Sequence, residues 1–475
     1  MRLNTKKTDV LVLGAGPAGL AAAYRAARAG LIVTVIDQER TAGGLMRSIR
    51  RGDFIVDVGR KELSRRIPSV CALWDEILGN DMRPYNHRAG ILFHNNIIEK
   101  SSYYAGRRCA MPWSLLLRCG LDYIWGSFNK SNSTRTYLDY RYKKHGRLLS
   151  QVLYQEFDEA FTGKRWIDLP YPDESDQPVS FHSPISGKIA RAMAPTPPEI
   201  FYHPARGTGQ IAEQLRAEIE RTGGEFLLGA RAERLLHSAT RVESVILGTD
   251  EEQLVIRPAF VISSIPLEHL NALLRDGDVP LRRVSRAAHS RKRSAALVYL
   301  FLNEVPRFPH VWLEVTTPGK SFRRITNYAA LNGEMVPPGR TCLCLEAFCA
   351  QDDTLLRLDD AGLIRTALLE IASARLLDVN QVFDAFVLRL PGADAAVHST
   401  AWKTSEQQFL LSFVNRFENL YYVNRAGIDN AMYAGVEAAG AILSGDRMSF
   451  LELTDPTGCA PVFEANSLTN PGELA

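Results

Sequence analysis

Asp9-Val10-Leu11-Val12-Leu13-Gly14-Ala15-Gly16-Pro17-Ala18-Gly19 is the stretch on which the fold turns, and Leu31-Ile32-Val33-Thr34-Val35-Ile36-Asp37 completes it. The apolar run before Gly14 is short enough for a parallel strand buried on both faces. Gly14 permits a tight turn, Gly16 lets backbone approach a pyrophosphate, and Gly19 lets the next helix pack closely on the strand. Pro17 and Ala18 complete that loop. Ala18 to Ala29 is alanine-rich and predicts a helix, with Gly30 as its stop and free amides at its N-terminus for phosphate. A second strand, Leu31 to Ile36, ends at Asp37, eighteen residues after Gly19. A carboxylate there accepts hydrogen bonds from ribose hydroxyls and repels a 2′-phosphate, with Gln38 beside it. Strand, glycine triplet, helix, strand and terminal acid in register predict a Rossmann-type dinucleotide site.

The loop alone does not say which dinucleotide. Glu39-Arg40-Thr41-Ala42-Gly43-Gly44-Leu45-Met46-Arg47-Ser48 follows, and its glycine pair offers a second close backbone approach to the same pyrophosphate. That favours FAD. The chain then runs through Phe54-Ile55-Val56-Asp57-Val58-Gly59, a β-like segment ending in a turn. No second glycine fingerprint of comparable quality appears, which argues against a separate NAD(P)H domain.

These motifs resemble the N-terminal FAD motifs of the flavin amine-oxidase, protoporphyrinogen-oxidase and phytoene-desaturase superfamily. Gly43-Gly44-Leu45 with Ser48 is more similar to its protoporphyrinogen-oxidase and UDP-galactopyranose-mutase branches. Phe201-Tyr202-His203-Pro204 with Gly207-Thr208-Gly209-Gln210, and the strand Phe260 to Pro266, extend the likeness. The resemblance implies that backbone at Ala232 meets the adenine. Tyr421 to Gly427 followed by a helix from Ile428 to Leu443 resembles the second flavin motif. It implies flavin-end contacts at Gly427, Asp429 and Asn430, and a pyrophosphate contact at Arg425. Asn424 departs from the family glycine, and Gly427 meets the helix start with several residues missing.

The fold class implied is α/β. A discontinuous Rossmann-type FAD-binding domain takes residues 1–85, 200–270 and 415–450. An α+β substrate-binding domain takes 86–199 and 271–414, and 451–475 forms a tail. Apolar or alternating runs at Ala295 to Leu302, Val311 to Val315 and Cys342 to Glu346 predict an antiparallel sheet in that second domain. Ala194-Pro195-Thr196-Pro197-Pro198 reads as a stiff boundary and Asp168 to Pro178 as a loop.

Composition narrows the class further. At 475 residues and 46% hydrophobic, the chain has enough for two or three domains with a large core. A net charge of +3 gives no reason to expect a nucleic-acid partner. The seven cysteines are scattered without a CxxC pair, which fits reduced packing thiols and a cytoplasmic protein. No apolar signal core precedes the first strand, and no run approaches about 18 apolar residues, so no spanning helix is expected. Trp113 to Phe128 reads as a buried helix in preference to a membrane-surface element; peripheral membrane contact and oligomeric state stay open. No metal spacing and no catalytic triad is present.

Side-chain candidates are few, because a flavin would carry the redox chemistry. Arg60 and Lys61 directly follow the Gly59 turn, where mutase-like relatives have a histidine, and their cations would stabilise an anionic flavin or substrate. A solvated basic surface is the competing reading. Phe322-Arg323-Arg324-Ile325 resembles a substrate-domain strand of the protoporphyrinogen-oxidase-like branch, and that match selects Arg324 over Arg323 for the pocket. Arg206 and Trp312 are weaker candidates. The function expected is an FAD-dependent oxidoreductase, oxidase or desaturase, acting on a small or medium, anionic organic substrate. The alternatives are a non-redox flavoenzyme of the UDP-galactopyranose-mutase type and a non-catalytic flavin-binding partner.

Overall fold

The computed structural model describes residues 4–63, 65–99, 113–128, 135–171, 200–249, 253–274, 293–350, 352–391 and 405–454. The boundary at 194–198, the tail beyond 456, most of the 168–178 loop, and Cys109 and Cys459 lie outside those residues.

The first sheet is built on β1 (Asn4–Leu13), whose Val10 to Leu13 core is buried on both faces. β1 lies between β2 (Val33–Asp37) and β12 (Gln253–Ser263), parallel to both. β9 (Glu225–Leu228) extends the sheet parallel to β2, and β18 (Leu420–Tyr422) pairs parallel with the end of β12. β10 (Arg231–His237) and β11 (Val242–Gly248) form an antiparallel meander onto β12. β1 begins earlier than its apolar run suggests, because Asn4 to Lys7 pair with Leu254 to Arg257 through backbone alone. Alternate residues of the central strands face opposite helical layers. Val10, Val12, Val33 and Val35 pack against α1 (Pro17–Arg28), α7 (Gly209–Arg221) and α12 (Ile428–Ser444). Leu11, Leu13, Ile36 and Val261 pack against α8 (Leu267–Leu273) and α11 (Ser405–Asn415). α2 (Pro68–Leu78) and α13 (Arg447–Thr454) close the first layer.

The second sheet runs β17 (Val382–Leu390), β13 (Arg293–Leu302), β16 (Thr341–Ala350), β15 (Arg324–Asn327), β14 (Trp312–Val315), β6 (Ala89–Phe93), β7 (Asn96–Glu99). It is antiparallel except where β6 lies parallel to β14, so the two long insertions of the chain share one sheet. One face is covered by α10 (Asp360–Ser373). The other carries Leu297, Tyr299, Phe301, Trp312, Cys342 and Cys344, with α9 (Tyr328–Leu331), toward the hairpin β3 (Ser48–Arg51) and β4 (Phe54–Asp57). The alternation of Cys342 and Cys344 thus places both thiols in the core, as packing groups. β5 (Met82–Asn86) and β8 (Ile200–Pro204) form a small antiparallel pair.

A helical insertion completes the molecule: α3 (Trp113–Phe128), α4 (Tyr137–His145), α5 (Arg147–Ser150) and α6 (Glu156–Thr162). It packs on β6 and β7 through Ile91, Ile98, Tyr154 and Trp166. The expectation of a buried helix at Trp113 to Phe128 needs correction. The helix forms, but among its described side chains only Cys119, with half-buried Leu115 and Asp122, faces inward; Trp113 is 80% exposed and Trp125 73%. Apolar composition alone said nothing about which faces acquire a partner. Among the described residues, no helix is long and apolar enough to cross a membrane.

Asp57, at the end of β4, ties these parts together. Its fully buried carboxylate accepts hydrogen bonds from Ser48 Oγ at 2.6 Å and from the Thr208 amide at 2.9 Å, and meets His203 Nε2 at 2.8 Å. Its carbonyl accepts from the Tyr299 and Tyr328 hydroxyls at 2.8 and 2.7 Å. Burial pushes the carboxyl up, but His203, the Ser48 hydroxyl and the Lys61 ammonium outweigh it and hold Asp57 below the usual carboxylate range. A depressed folded-state pKa contributes stability that is complete above the unfolded carboxylate value of about 3.9 and is lost as pH falls through the folded value. Asp57→Asn should lower the unfolding free energy by about 3 kcal/mol or more, because it leaves buried partners unsatisfied. Denaturant unfolding near neutral pH checks this; a loss below about 1 kcal/mol would show that the network is not structural.

Candidate functional site

The glycine loop is shaped around an open space. Gly14 has φ +101° and its amide donates to the Ile36 carbonyl at 2.8 Å, which turns the chain at the end of β1. A Cβ at Gly19 would strike the Gly14 carbonyl, so this position needs close approach of helix to turn. A Cβ at Gly16 would meet nothing within 4 Å. Gly43 and Gly44 fold back onto the same place: the Gly43 amide donates to the Ala15 carbonyl at 2.7 Å, and a Cβ on Gly44 would come within 3.2 Å of Gly16 Cα. Leu45, 47% exposed, borders the turn, which Thr208 holds by donating its hydroxyl to the Met46 carbonyl. Two glycine turns thus meet at a helix N-terminus, an arrangement of backbone amides that suits an anion.

Asp37 stands at one side of this arrangement. One carboxylate oxygen accepts from the Ala15 amide at 2.7 Å and the other from the Glu39 amide at 2.9 Å. Burial raises its pKa, and those two amides oppose the rise. A carboxylate has about four acceptor positions, so Asp37 retains capacity for ribose hydroxyls. Gln38 and Glu39 line an open cleft of about 380 Å³ with Gly229, Arg231 and Glu233. The Ala230 amide donates to the Asp37 carbonyl, which fastens the start of β10 and Ala232 to the end of β2.

α12 marks the opposite direction. A Cβ at Gly435 would strike the Ala18 carbonyl, so α1 and α12 touch backbone to backbone there. Gly440 lies near Arg25, so the two helices run parallel. At 1.5 Å per residue, the α12 N-terminus extends about 6 to 9 Å beyond that of α1. Asp429 there pairs with Arg66 at 3.3 Å, and its other oxygen accepts from the Asn430 amide at 2.9 Å. Arg425 donates to the Asn424 carbonyl at 2.7 Å, and burial lowers its pKa, with Tyr422 opposing. Among the described residues no carboxylate pairs with it, which suits a ligand anion.

The Gly59 turn lies seven residues before Arg66. The Gly59 amide donates to the Tyr299 hydroxyl at 3.0 Å, and with φ +69° a Cβ would press on Leu297 and Glu346. Burial keeps the Tyr299 and Tyr328 hydroxyls well above their ordinary pKa, so both remain neutral donors. Glu346 of β16 accepts from the Arg60 amide at 2.9 Å and from Arg324 Nη1 at 3.3 Å. The Arg60 guanidinium lies 4.4 Å from the Trp312 ring and pairs with Glu62 at 2.7 Å. Lys61 turns back, its Nζ donating to the Val58 carbonyl; burial lowers its pKa, and Asp57 and Glu346 oppose that.

Arg324 is enclosed by the rings of Phe157, Phe161 and Phe348 at 5.5, 5.5 and 5.1 Å. Burial lowers its pKa against the pull of Glu346, and its Nε has no hydrogen-bond partner. Glu314, Arg324 and Glu346 sit opposite one another on β14, β15 and β16. Arg323 points elsewhere, to Glu156 at 2.8 Å and the Thr317 carbonyl at 3.0 Å. The structure therefore brings Arg60, Lys61 and Arg324 together around Glu346. Arg206 is exposed and stands apart from them. Sequence reasoning missed Glu346, Glu314 and the phenylalanines of α6. The alternation Cys342, Cys344, Glu346 was the available signal, since it places the acid on the same face as the buried thiols.

Comparison with known proteins agrees with this architecture. The family model for an NAD(P)-binding Rossmann-like domain matches residues 12–76. Protoporphyrinogen oxidase 2 of Arabidopsis thaliana is 40% identical over 68 residues, 14% of this chain and 13% of that protein, so the match spans a small part of its length. The solved structure of a reduced UDP-galactopyranose mutase superposes with a TM-score of 0.75 at 16% identity, over 92% of this chain and 96% of that one. A protein of Exiguobacterium sp. 255-15 assigned to protoporphyrinogen oxidase gives 0.66 at 18% identity, over 93% and 99%. The chain thus shares its fold with these two solved structures, and its residues 12–76 match an NAD(P)-binding Rossmann-like domain.

Proposed function

We propose that this chain is an FAD-dependent oxidoreductase taking hydride from a small or medium organic substrate that bears an anionic group. The observation that carries this reading is the docking of the Gly59 turn on the Arg324–Glu346 face of the second sheet. Residues 1–85, 200–270 and 415–450 then form the cofactor domain, and 86–199 with 271–414 the substrate domain. Bound FAD would supply the redox chemistry as the hydride acceptor. Gly14 to Gly19, Gly43, Gly44, Leu45 and Arg425 would hold its pyrophosphate, Asp37 and Gln38 its ribose, and the Ala232 backbone its adenine. Gly59, Arg60, Gly427, Asp429 and Asn430 would border its flavin end.

The remaining work falls to the protein's own groups. Phe157, Phe161 and Phe348 exclude water around Arg324, which strengthens its attraction for an anion. Its unpartnered Nε is the donor available to a carboxylate or phosphate of the substrate. Arg60, stacked on Trp312, offers a second cation, with Glu62 restraining its position. Burial lowers the pKa of Lys61 beside the turn, against the pull of Asp57 and Glu346. A mutase of nucleotide sugars is the second reading, favoured by the 0.75 TM-score likeness and opposed by Lys61 in place of the expected histidine.

Two measurements test the proposal. Anaerobic photoreduction followed by air should restore the flavin's visible absorbance within seconds for an oxidase. A persistently reduced protein that interconverts nucleotide sugars supports the mutase, and a colourless protein that takes up no FAD contradicts both. Gly16 has φ −78° and ψ −176°, an extended geometry that any residue adopts. Gly16→Val should therefore leave the unfolding midpoint of the flavin-free protein unchanged while weakening FAD binding roughly tenfold or more. Wild-type flavin occupancy in that variant would place the cofactor elsewhere.

A further inference from the structure

Helix α3 presents an apolar surface that the rest of the described chain does not cover. Trp113, Leu117, Leu121 and Ile124 recur at helical spacing opposite inward Cys119, and are 80%, 66%, 58% and 55% exposed. Trp125 is 73% exposed, and Arg118 is exposed on the same side of the helix. Exposed apolar surface on this scale marks a binding surface more often than a solvated one.

Charge says what kind of partner fits. Among the described residues 113–128 and 135–147, Arg118, Arg135, Lys143 and Arg147 are exposed and Lys144 half-buried, against two aspartates. Both acids are engaged in the fold. Asp122 accepts from the Leu148 amide at 2.8 Å, and Asp139 closes the N-terminal capping box of α4 with Thr136. Arg147, exposed, follows Gly146, which abuts Tyr123 of α3. A second copy of the chain would bring like charges together across this face.

We propose that α3 is an interfacial anchor that lies flat on a bilayer containing anionic phospholipids. Its 16 residues span about 24 Å, too short to cross and suited to lying in the headgroup plane. Leucine and isoleucine enter the acyl boundary, tryptophans sit at headgroup depth, and the basic surround meets lipid phosphates. The same insertion continues into α6, whose Phe157 and Phe161 lie against Arg324.

Flotation of the full flavoprotein with defined vesicles tests this. It should float with vesicles of phosphatidylcholine and about one-third phosphatidylglycerol, roughly tenfold less with phosphatidylcholine alone, and less as salt rises. The triple variant Trp113→Glu, Leu117→Glu and Trp125→Glu should remain at the bottom with unchanged circular dichroism. Arg118→Glu, which leaves the apolar contact intact, should weaken binding to the anionic vesicles alone. Wild-type protein that floats with neither vesicle, or a triple variant that is folded and floats as wild type does, overturns the proposal. So does a dimer, seen by light scattering and abolished in the triple variant, without vesicle binding.

Discussion

A carboxylate removed wholly from water, that of Asp57, is the constraint on which the arrangement rests. Unpaired, it would cost several kcal/mol. Its neighbours offset that cost, and they come from β3, the α7 loop and β8, while the Asp57 backbone is gripped by Tyr299 of β13 and Tyr328 of α9. One residue thus requires the two sheets to meet at a fixed place. The Gly59 turn, two residues on, inherits that position and is brought against Glu346.

The charges at the turn follow from this enforced proximity. Arg60, Lys61 and Arg324 could not all be buried near one another without negative charge, and Glu346, Glu62 and Asp57 provide it. The cluster is close to balanced, so its effect on a ligand depends on the placement of each charge more than on a net excess. Arg324 differs from the other two in having one buried donor without a partner. That makes it the residue with most to gain from an incoming anion.

The cofactor half was legible because its signals are local. Gly14 to Asp37 specify strand, turn, helix and strand within one short segment, and the helix at Ile428 was readable from its glycine start. Arg324, chosen over Arg323, was reached through family likeness combined with strand alternation. The partners of these residues were not legible. Gly59 meets Tyr299 across 240 positions and Arg60 meets Glu346 across 286, and nothing near Gly59 announces either. Trp113 to Phe128 failed for another reason: an apolar helix reads the same whether or not a neighbour covers it.

If FAD lies with its flavin end at the Gly59 turn, as proposed, Arg324 and Glu346, joined to that turn through the Arg60 amide, would set the electrostatic field there. The midpoint potential of the flavin in wild type, Arg324→Met and Glu346→Gln measures that field directly. Loss of the cation should move the potential to more negative values and loss of the carboxylate to more positive ones, since reduction adds negative charge. Opposite shifts separate this role from general damage to the fold. Potentials unchanged in both variants, or moved in the same direction, would contradict the account.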